Sequence, residues 1–126
     1  MLSKGSERVT ITSKAPGKLF IAGEYAVVEP GHGAIVAAVS RYLTVTIDKA
    51  TSVGTLTSTQ NPDVVVEWTR KGELFQAKSD HPYKLVEEAI LVTEQYVRES
   101  DKEAFALYSL SITSELDDAK RGIKYG

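Results

Sequence analysis

Cysteine is absent from the 126 residues. That excludes disulfide staples and thiolate metal centres, and it fits a reducing cytoplasm, where the chain is expected to reside. Histidine is scarce too. His32 and His81 are far apart in sequence, and neither has a second ligand at a metal-binding spacing, so no metal ligand is assigned. Long apolar runs are missing. The longest, Gly33 to Val39, is about a third of the ~20 residues that a membrane helix requires. Met1 to Val9 carries Lys4, Glu7 and Arg8 and lacks the apolar core of a secretory signal. Excess charge of one sign is also lacking. The formal net charge of −2 gives no electrostatic ground for a nucleic-acid or anionic-membrane partner. There is no internal repeat or low-complexity tract.

What is present is β signal, with one helical interval. Val9 to Thr12 alternates apolar and polar residues as a strand does. Ala15-Pro16-Gly17 carries turn chemistry and is expected to interrupt it before a second strand, Lys18 to Ala22. Glu29-Pro30-Gly31-His32-Gly33 predicts a loop. Ala34 to Ser40 suits a strand buried on both faces. From Tyr42 to Asp48, Leu43, Val45 and Ile47 share one face and Thr44 and Thr46 the other. Short β-branched runs follow at Thr55 to Thr59 and Val64 to Thr69. A hairpin turn at Arg70 to Glu73 leads into Leu74 to Ala77.

The period then changes. Ser79 or Asp80 can cap, Pro82 suits a first helical turn, and Val86, Ile90, Thr93 and Val97 recur at helical spacing. This predicts a helix over 83–99. Phe105 to Thr113 returns to alternation, and the charged tail from Glu115 onward reads as a loop. The class is therefore α+β: a mixed or antiparallel sheet with one long helix. One helix is little cover for about six strands, so the chain is expected to be part of a larger fold.

Two clusters could carry chemistry. In the first, Lys18 follows Pro16 and Gly17 directly. A lysine fixed on a strand can set its ammonium against a phosphate as a point charge. Gly23 permits close approach of backbone or ligand. The same residues also read as a surface lysine beside a turn and a bulge, and chemistry alone leaves both readings open. In the second, Lys120, Arg121 and Lys124 lie close together near Gly122 and Gly126. They could meet an anionic substrate or form a solvated loop neutralised by Glu115, Asp117 and Asp118. Tyr25 is either a substrate hydrogen-bonder or a partly buried strand tyrosine. Glu24 could coordinate a metal, orient Lys18 or simply be solvated. Trp68 and Tyr42 read as packing residues, because no basic stripe accompanies them.

The run Pro16-Gly17-Lys18-Leu19-Phe20-Ile21-Ala22-Gly23-Glu24-Tyr25-Ala26-Val27-Val28 resembles the first motif of the GHMP kinases. That superfamily includes galactokinases, homoserine kinases, mevalonate kinases and phosphomevalonate kinases. Gly23-Glu24-Tyr25-Ala26 followed by Glu29-Pro30-Gly31 resembles the bacterial phosphomevalonate kinase branch. Mevalonate kinases tend to carry His after the Gly-Glu pair. Arg121-Gly122-Ile123-Lys124-Tyr125-Gly126 resembles the segment leading into the second motif, with Gly126 as its first glycine.

The resemblance implies a two-lobed α+β fold with an unusual left-handed crossover. It implies ATP and Mg²⁺ as cofactors and 5-phosphomevalonate as the small-molecule substrate. The reaction would be γ-phosphoryl transfer giving 5-diphosphomevalonate, on the mevalonate route to isoprenoids. Lys18 would be catalytic and substrate-binding, steadying charge near the transferring phosphoryl. Glu24, Tyr25 and Lys124 would bind substrate, and Lys124 and Gly126 the cofactor. On this reading residues 1–126 are the N-terminal portion of the ATP-binding domain. The phosphate loop and the other lobe would lie beyond, so the chain alone is expected to be inactive and weakly stable. The alternatives are mevalonate kinase or another GHMP kinase, and a non-catalytic GHMP-like binding domain.

Overall fold

The computed structural model describes residues 10–78, 80–100 and 105–125. The elements run β1 (Thr10–Ala22), a single 3₁₀ turn (Ala26–Val28), β2 (Ile35–Lys49), β3 (Gly54–Ser58), β4 (Val66–Lys71), β5 (Leu74–Ala77), α1 (Lys84–Ser100), β6 (Tyr108–Ser114), β7 (Asp117–Asp118) and β8 (Ile123–Lys124). Six strands form one sheet in the order β1-β2-β6-β3-β4-β5. β3 pairs antiparallel with β4, and β4 with β5, while β3 pairs parallel with β6. The sheet is mixed and carries one helix, as the α+β reading expects. No helix among the described residues is long and apolar enough to cross a membrane.

The strand carrying Pro16 and Gly17 departs from expectation. β1 runs unbroken through both residues. β1 stands at the sheet edge, and an edge strand tolerates a residue that cannot donate to a ladder. The expected buried strand over 34–40 is the first half of β2, and Ile35 and Val36 in it are exposed. The expected tail loop contains a small antiparallel hairpin, with Asp117 opposite Lys124 and Asp118 opposite Ile123. Local chemistry explains this. The Asp118 carboxylate accepts the Arg121 N–H at 3.1 Å, and Gly122 supplies the positive φ that the turn needs.

Two compact units divide the chain. One comprises Val45–Ile112 with the opening residues of β1; the other comprises Ser13–Thr44 and Thr113–Gly126. The first unit holds the core: Leu56, Val66, Trp68, Phe75, Tyr83, Ile90 and Leu110. β4 shows the period-2 logic directly, with Val66 and Trp68 buried and Glu67 and Thr69 exposed. Trp68 stacks on Phe75 at 4.6 Å between centroids and meets the edge of Tyr108 at 4.9 Å. Its indole N–H donates to the Tyr108 carbonyl at 3.1 Å, so its polar end is not left unpaired. Burying a side chain such as Leu56 contributes about 1.5–3 kcal/mol.

Helix α1 presents Ile90 and Glu94 inward, with Val86 half-buried one turn earlier. Thr93 and Val97, expected on that stripe, face outward. A carboxylate therefore occupies a position where periodicity asks for an apolar group. Arg70 on β4 explains it. Its guanidinium makes a two-pronged contact with Glu94, Nη1 to Oε1 and Nη2 to Oε2, both at 2.9 Å. Tyr108 donates its hydroxyl to the same carboxylate at 2.8 Å. Arg70 also donates to the carbonyls of Glu73 and Ala106. A buried charge is tolerable only with this degree of pairing.

Of the two expected caps of α1, Ser79 lies outside the described residues, and among those residues no hydrogen bond joins Asp80 to the first turn; His81 braces the entry to the helix instead. His81 Nδ1 accepts the Tyr83 N–H at 3.1 Å, and Nε2 lies 3.1 Å from Glu87 Oε1. A backbone N–H can only donate, so Nδ1 is the acceptor and Nε2 carries the proton.

Candidate functional site

The second unit carries the residues that the sequence singles out. Lys18 lies near the middle of β1 with its side chain exposed. Its backbone N–H donates to the Tyr125 carbonyl at 2.5 Å, and the Tyr125 N–H donates to the Leu116 carbonyl at 2.6 Å. Gly17 is the one buried residue of β1. A Cβ there would sit 2.2 Å from the Tyr125 oxygen and 2.8 Å from Leu116 Cδ2. Glycine is thus required because another stretch of backbone packs against the strand at this point, not because the chain turns. The two motifs, more than 100 residues apart in sequence, meet here: Lys18 on β1, and Lys124 on β8 immediately before Tyr125.

β2 holds the 115–125 segment from another side. Tyr42 and Glu115 exchange two bonds: Tyr42 N–H to Glu115 Oε1 at 3.1 Å, and Glu115 N–H to the Tyr42 carbonyl at 2.9 Å. The Arg41 guanidinium stands 5.2 Å from the centre of the Tyr125 ring, and the Lys14 ammonium 5.7 Å from that of Tyr42. These distances are within cation–π range. Sequence reasoning missed Arg41, Glu115 and Tyr125 as site-building residues. No spacing rule ties position 41 to position 125, and only the fold does.

Glu24 and Tyr25 follow the end of β1, in the turn before the 3₁₀ segment, and both are exposed; Tyr25 retains 85% of its accessible surface. Gly23 sets this turn. Its φ is 83°, and a Cβ would lie 2.4 Å from the Gly33 carbonyl oxygen, so only glycine fits. Among the described residues, no hydrogen bond or ion pair joins Glu24 or Tyr25 to Lys18 or Lys124. The structure therefore joins the backbone of Lys18 to that of Tyr125, the residue after Lys124, and leaves Glu24 and Tyr25 farther along the chain from that junction. Gly126 lies outside the described residues. Among those residues, no group of three or more His, Asp or Glu side chains could hold a metal ion. Those residues thus form no ready carboxylate cage for the Mg²⁺ that the resemblance implies.

The first unit has its own cleft, of about 350 Å³, bordered by Val64–Glu67 on one side and Lys78, Asp80, His81 and Pro82 on the other. Among the described residues, the displaced ionisations also lie in this unit. Burial alone pushes the Glu94 carboxyl up, but hydrogen bonds from Arg70 and Tyr108 and the nearby Arg98 hold it below the usual range. Burial and the adjacent Glu94 charge push the Tyr108 phenol well above its ordinary value. Apart from the buried Arg70 Nε, which has no hydrogen-bond partner among the described residues, these groups bond one another, so the displacement reflects an internal ion pair that docks the helix rather than a reactive centre.

No family model matches the chain. It is 61% identical over 41 residues to the phosphomevalonate kinase of Streptomyces sp. (strain CL190), a match that takes in 32% of this chain and 11% of that protein. Its fold is similar to the Lin0012 protein of Listeria innocua, with a TM-score of 0.72 and 36% identity over 94% of this chain and 32% of that one. It is also similar to Streptococcus pneumoniae phosphomevalonate kinase in complex with phosphomevalonate and AMPPNP. There the TM-score is 0.67 and the identity 25%, over 92% of this chain and 31% of that one. The sheet, the helix and the motif strand thus have the form of part of a GHMP kinase fold. Within that fold class the chain is similar to a part of phosphomevalonate kinase. It spans about one third of the length of the solved proteins it resembles.

Proposed function

We propose that the chain forms the N-terminal portion of a kinase that moves the γ-phosphoryl of ATP onto 5-phosphomevalonate, giving 5-diphosphomevalonate. The observation that carries this reading is the union of the Lys18 strand with the Lys124 hairpin through the Lys18–Tyr125 bond. Two ammonium-bearing segments meet in one unit, and neither side chain is bonded to another described residue. Both are thus available to an anion. The likeness to the pneumococcal enzyme, whose structure holds phosphomevalonate and AMPPNP, supports the same substrates here.

The chemistry asked of these residues is mainly electrostatic. A phosphate monoester acceptor is largely ionised near neutral pH, with its second pKa about 6, so a strong general base matters less than for an alcohol. The harder task is to hold two polyanions in line. Lys18 would steady the charge on the acceptor and on the transferring phosphoryl. Lys124 would face the phosphates, and Tyr25 and Glu24 would border the substrate. ATP, when bound, supplies the phosphoryl group. The residues of this chain bind and orient, and the chain by itself turns over no substrate.

A heteronuclear NMR titration tests the reading. Phosphomevalonate is expected to shift the amides of Lys18 and Lys124 in the ¹⁵N-labelled chain, and mevalonate, which lacks the phosphate, is not. Lys18→Met should weaken binding about tenfold, the order of one charge-assisted contact. Equal responses to both ligands, or none to phosphomevalonate, would overturn the assignment.

A further inference from the structure

The geometry points to Arg41 as a positioning residue: by stacking on Tyr125 it holds the Lys124-bearing hairpin in register with the Lys18 strand. The inference rests on the reading of Lys18 and Lys124 as partners in anion binding, and it names the device that sets their spacing.

Arg41 lies on β2, half-buried, with its guanidinium 5.2 Å from the centre of the Tyr125 ring. Tyr125 is where the two segments are joined, since its carbonyl accepts from Lys18 and its N–H donates to Leu116. Gly17, beside Lys18, leaves the space that this carbonyl enters. Along β2 the next residue, Tyr42, has its ring under Lys14, four residues before Lys18 on β1. Successive residues of a strand point to opposite faces. Arg41 and Gly17 therefore address the Tyr125 side of the strands, and Lys14 and Lys18 the other.

Arg41 accordingly offers its charge to the ring that pins the hairpin, not to the face that carries Lys18. The rest of the hairpin is fastened at its base, through Tyr42 and Glu115, and at its tip, through Asp118 and Arg121. Near Tyr125, the Arg41 stack adds to the two backbone bonds and to the pairing of Lys124 with Asp117 in holding the final strand. Loosening the stack frees Lys124 to drift from Lys18 while the hairpin itself persists.

Arg41→Ala and Arg41→Lys, made in the 126-residue chain, test this by two readouts. Amide exchange reports the junction. Arg41→Ala is expected to speed exchange at Lys18 roughly three- to tenfold, the range of one partly exposed cation–π contact, and Arg41→Lys to restore much of the protection. Exchange at Asp118 and the Trp68 emission should be unchanged, since a general loss of structure would move both. Titration with inorganic pyrophosphate reports the consequence. In the unsubstituted chain the Lys18 and Lys124 amides should shift with a single Kd; in Arg41→Ala the Lys124 response should weaken several-fold more than that of Lys18. Unchanged Lys18 exchange in Arg41→Ala, or equal weakening at both lysines, overturns the proposal. If the unsubstituted chain binds no pyrophosphate, the anion-site reading fails, and the exchange data alone decide whether Arg41 sets the junction.

Discussion

Truncating Glu94 to alanine should be among the most damaging single changes to the first unit. Glu94 is 4% exposed and accepts three hydrogen bonds, two from Arg70 and one from Tyr108. Its removal leaves the Arg70 guanidinium, whose side chain is 11% exposed, without a counter-charge. Breaking a buried pair by deleting one partner costs about 3–5 kcal/mol. Arg70 would keep the carbonyls of Glu73 and Ala106 and its place over the Trp68 and Phe105 rings. Those contacts put the expected loss near the low end, about 3 kcal/mol. Glu94→Gln keeps one acceptor oxygen for Tyr108 and one Arg70 nitrogen but loses the charge and the second Arg70 bond, because its amide nitrogen can only donate, so it should cost about 1.5–3 kcal/mol. Urea denaturation followed by Trp68 emission measures both variants, because Arg70 lies 5.1 Å from the centre of that ring. A loss below about 1 kcal/mol for Glu94→Ala, the value of an exposed pair, would refute the argument that this carboxylate docks the helix.

The same pair gives a pH dependence. Because Glu94 is held below the usual carboxylate range in the folded chain, its stabilising contribution is complete above the unfolded value near ~4.3 and is lost as pH falls through the depressed folded value. Stability measured from pH 6 downward should show this component in the unsubstituted chain and lack it in Glu94→Gln. Gly17→Ala should push Tyr125 away from β1, because the added Cβ would lie 2.2 Å from its carbonyl; the Lys18 amide should lose its protection, with a local cost of about 1–3 kcal/mol. Tyr83→Phe removes a hydroxyl that reaches the carbonyls of Asn61 and Val64 at 3.1 and 2.9 Å, and should lower the urea midpoint by the equivalent of about 1 kcal/mol with no change in slope.

Much of the fold is legible in the sequence because the relevant signals are local. Alternation in β4, the Lys71-Gly72-Glu73 turn and the helical spacing of Val86 and Ile90 all report short-range geometry, and each element lies within a few residues of its expected place. Where the reading departs, a distant partner intervenes. Pro16-Gly17 looks like a turn until β1 is seen at the sheet edge with Tyr125 packed on Gly17. Glu94 falls where helical periodicity asks for an apolar group, and only the Arg70 guanidinium beside it explains a carboxylate there. The hairpin at the tail is hidden by its charge, and charge patterning carries no β signal. For the site, Lys18 and Lys124 are visible as motif residues, but nothing in the chain order reveals that Lys18 bonds the backbone of Tyr125, next to Lys124. Arg41 carries no local signature at all, because its significance comes from a ring 84 positions later.

The parallel pairing of β3 with β6 has a kinetic consequence. Leu56 sits opposite Leu110, so closing this ladder means closing a long loop that holds β4, β5 and α1. The β3–β4 and β4–β5 pairs join neighbours in the chain and can form early, since short loops close at low entropic cost. Arrival of β6 then seats Leu110 in the core and brings the Tyr108 hydroxyl to Glu94. Refolding should therefore be slow for a chain of this length, with the last strand to dock setting the rate.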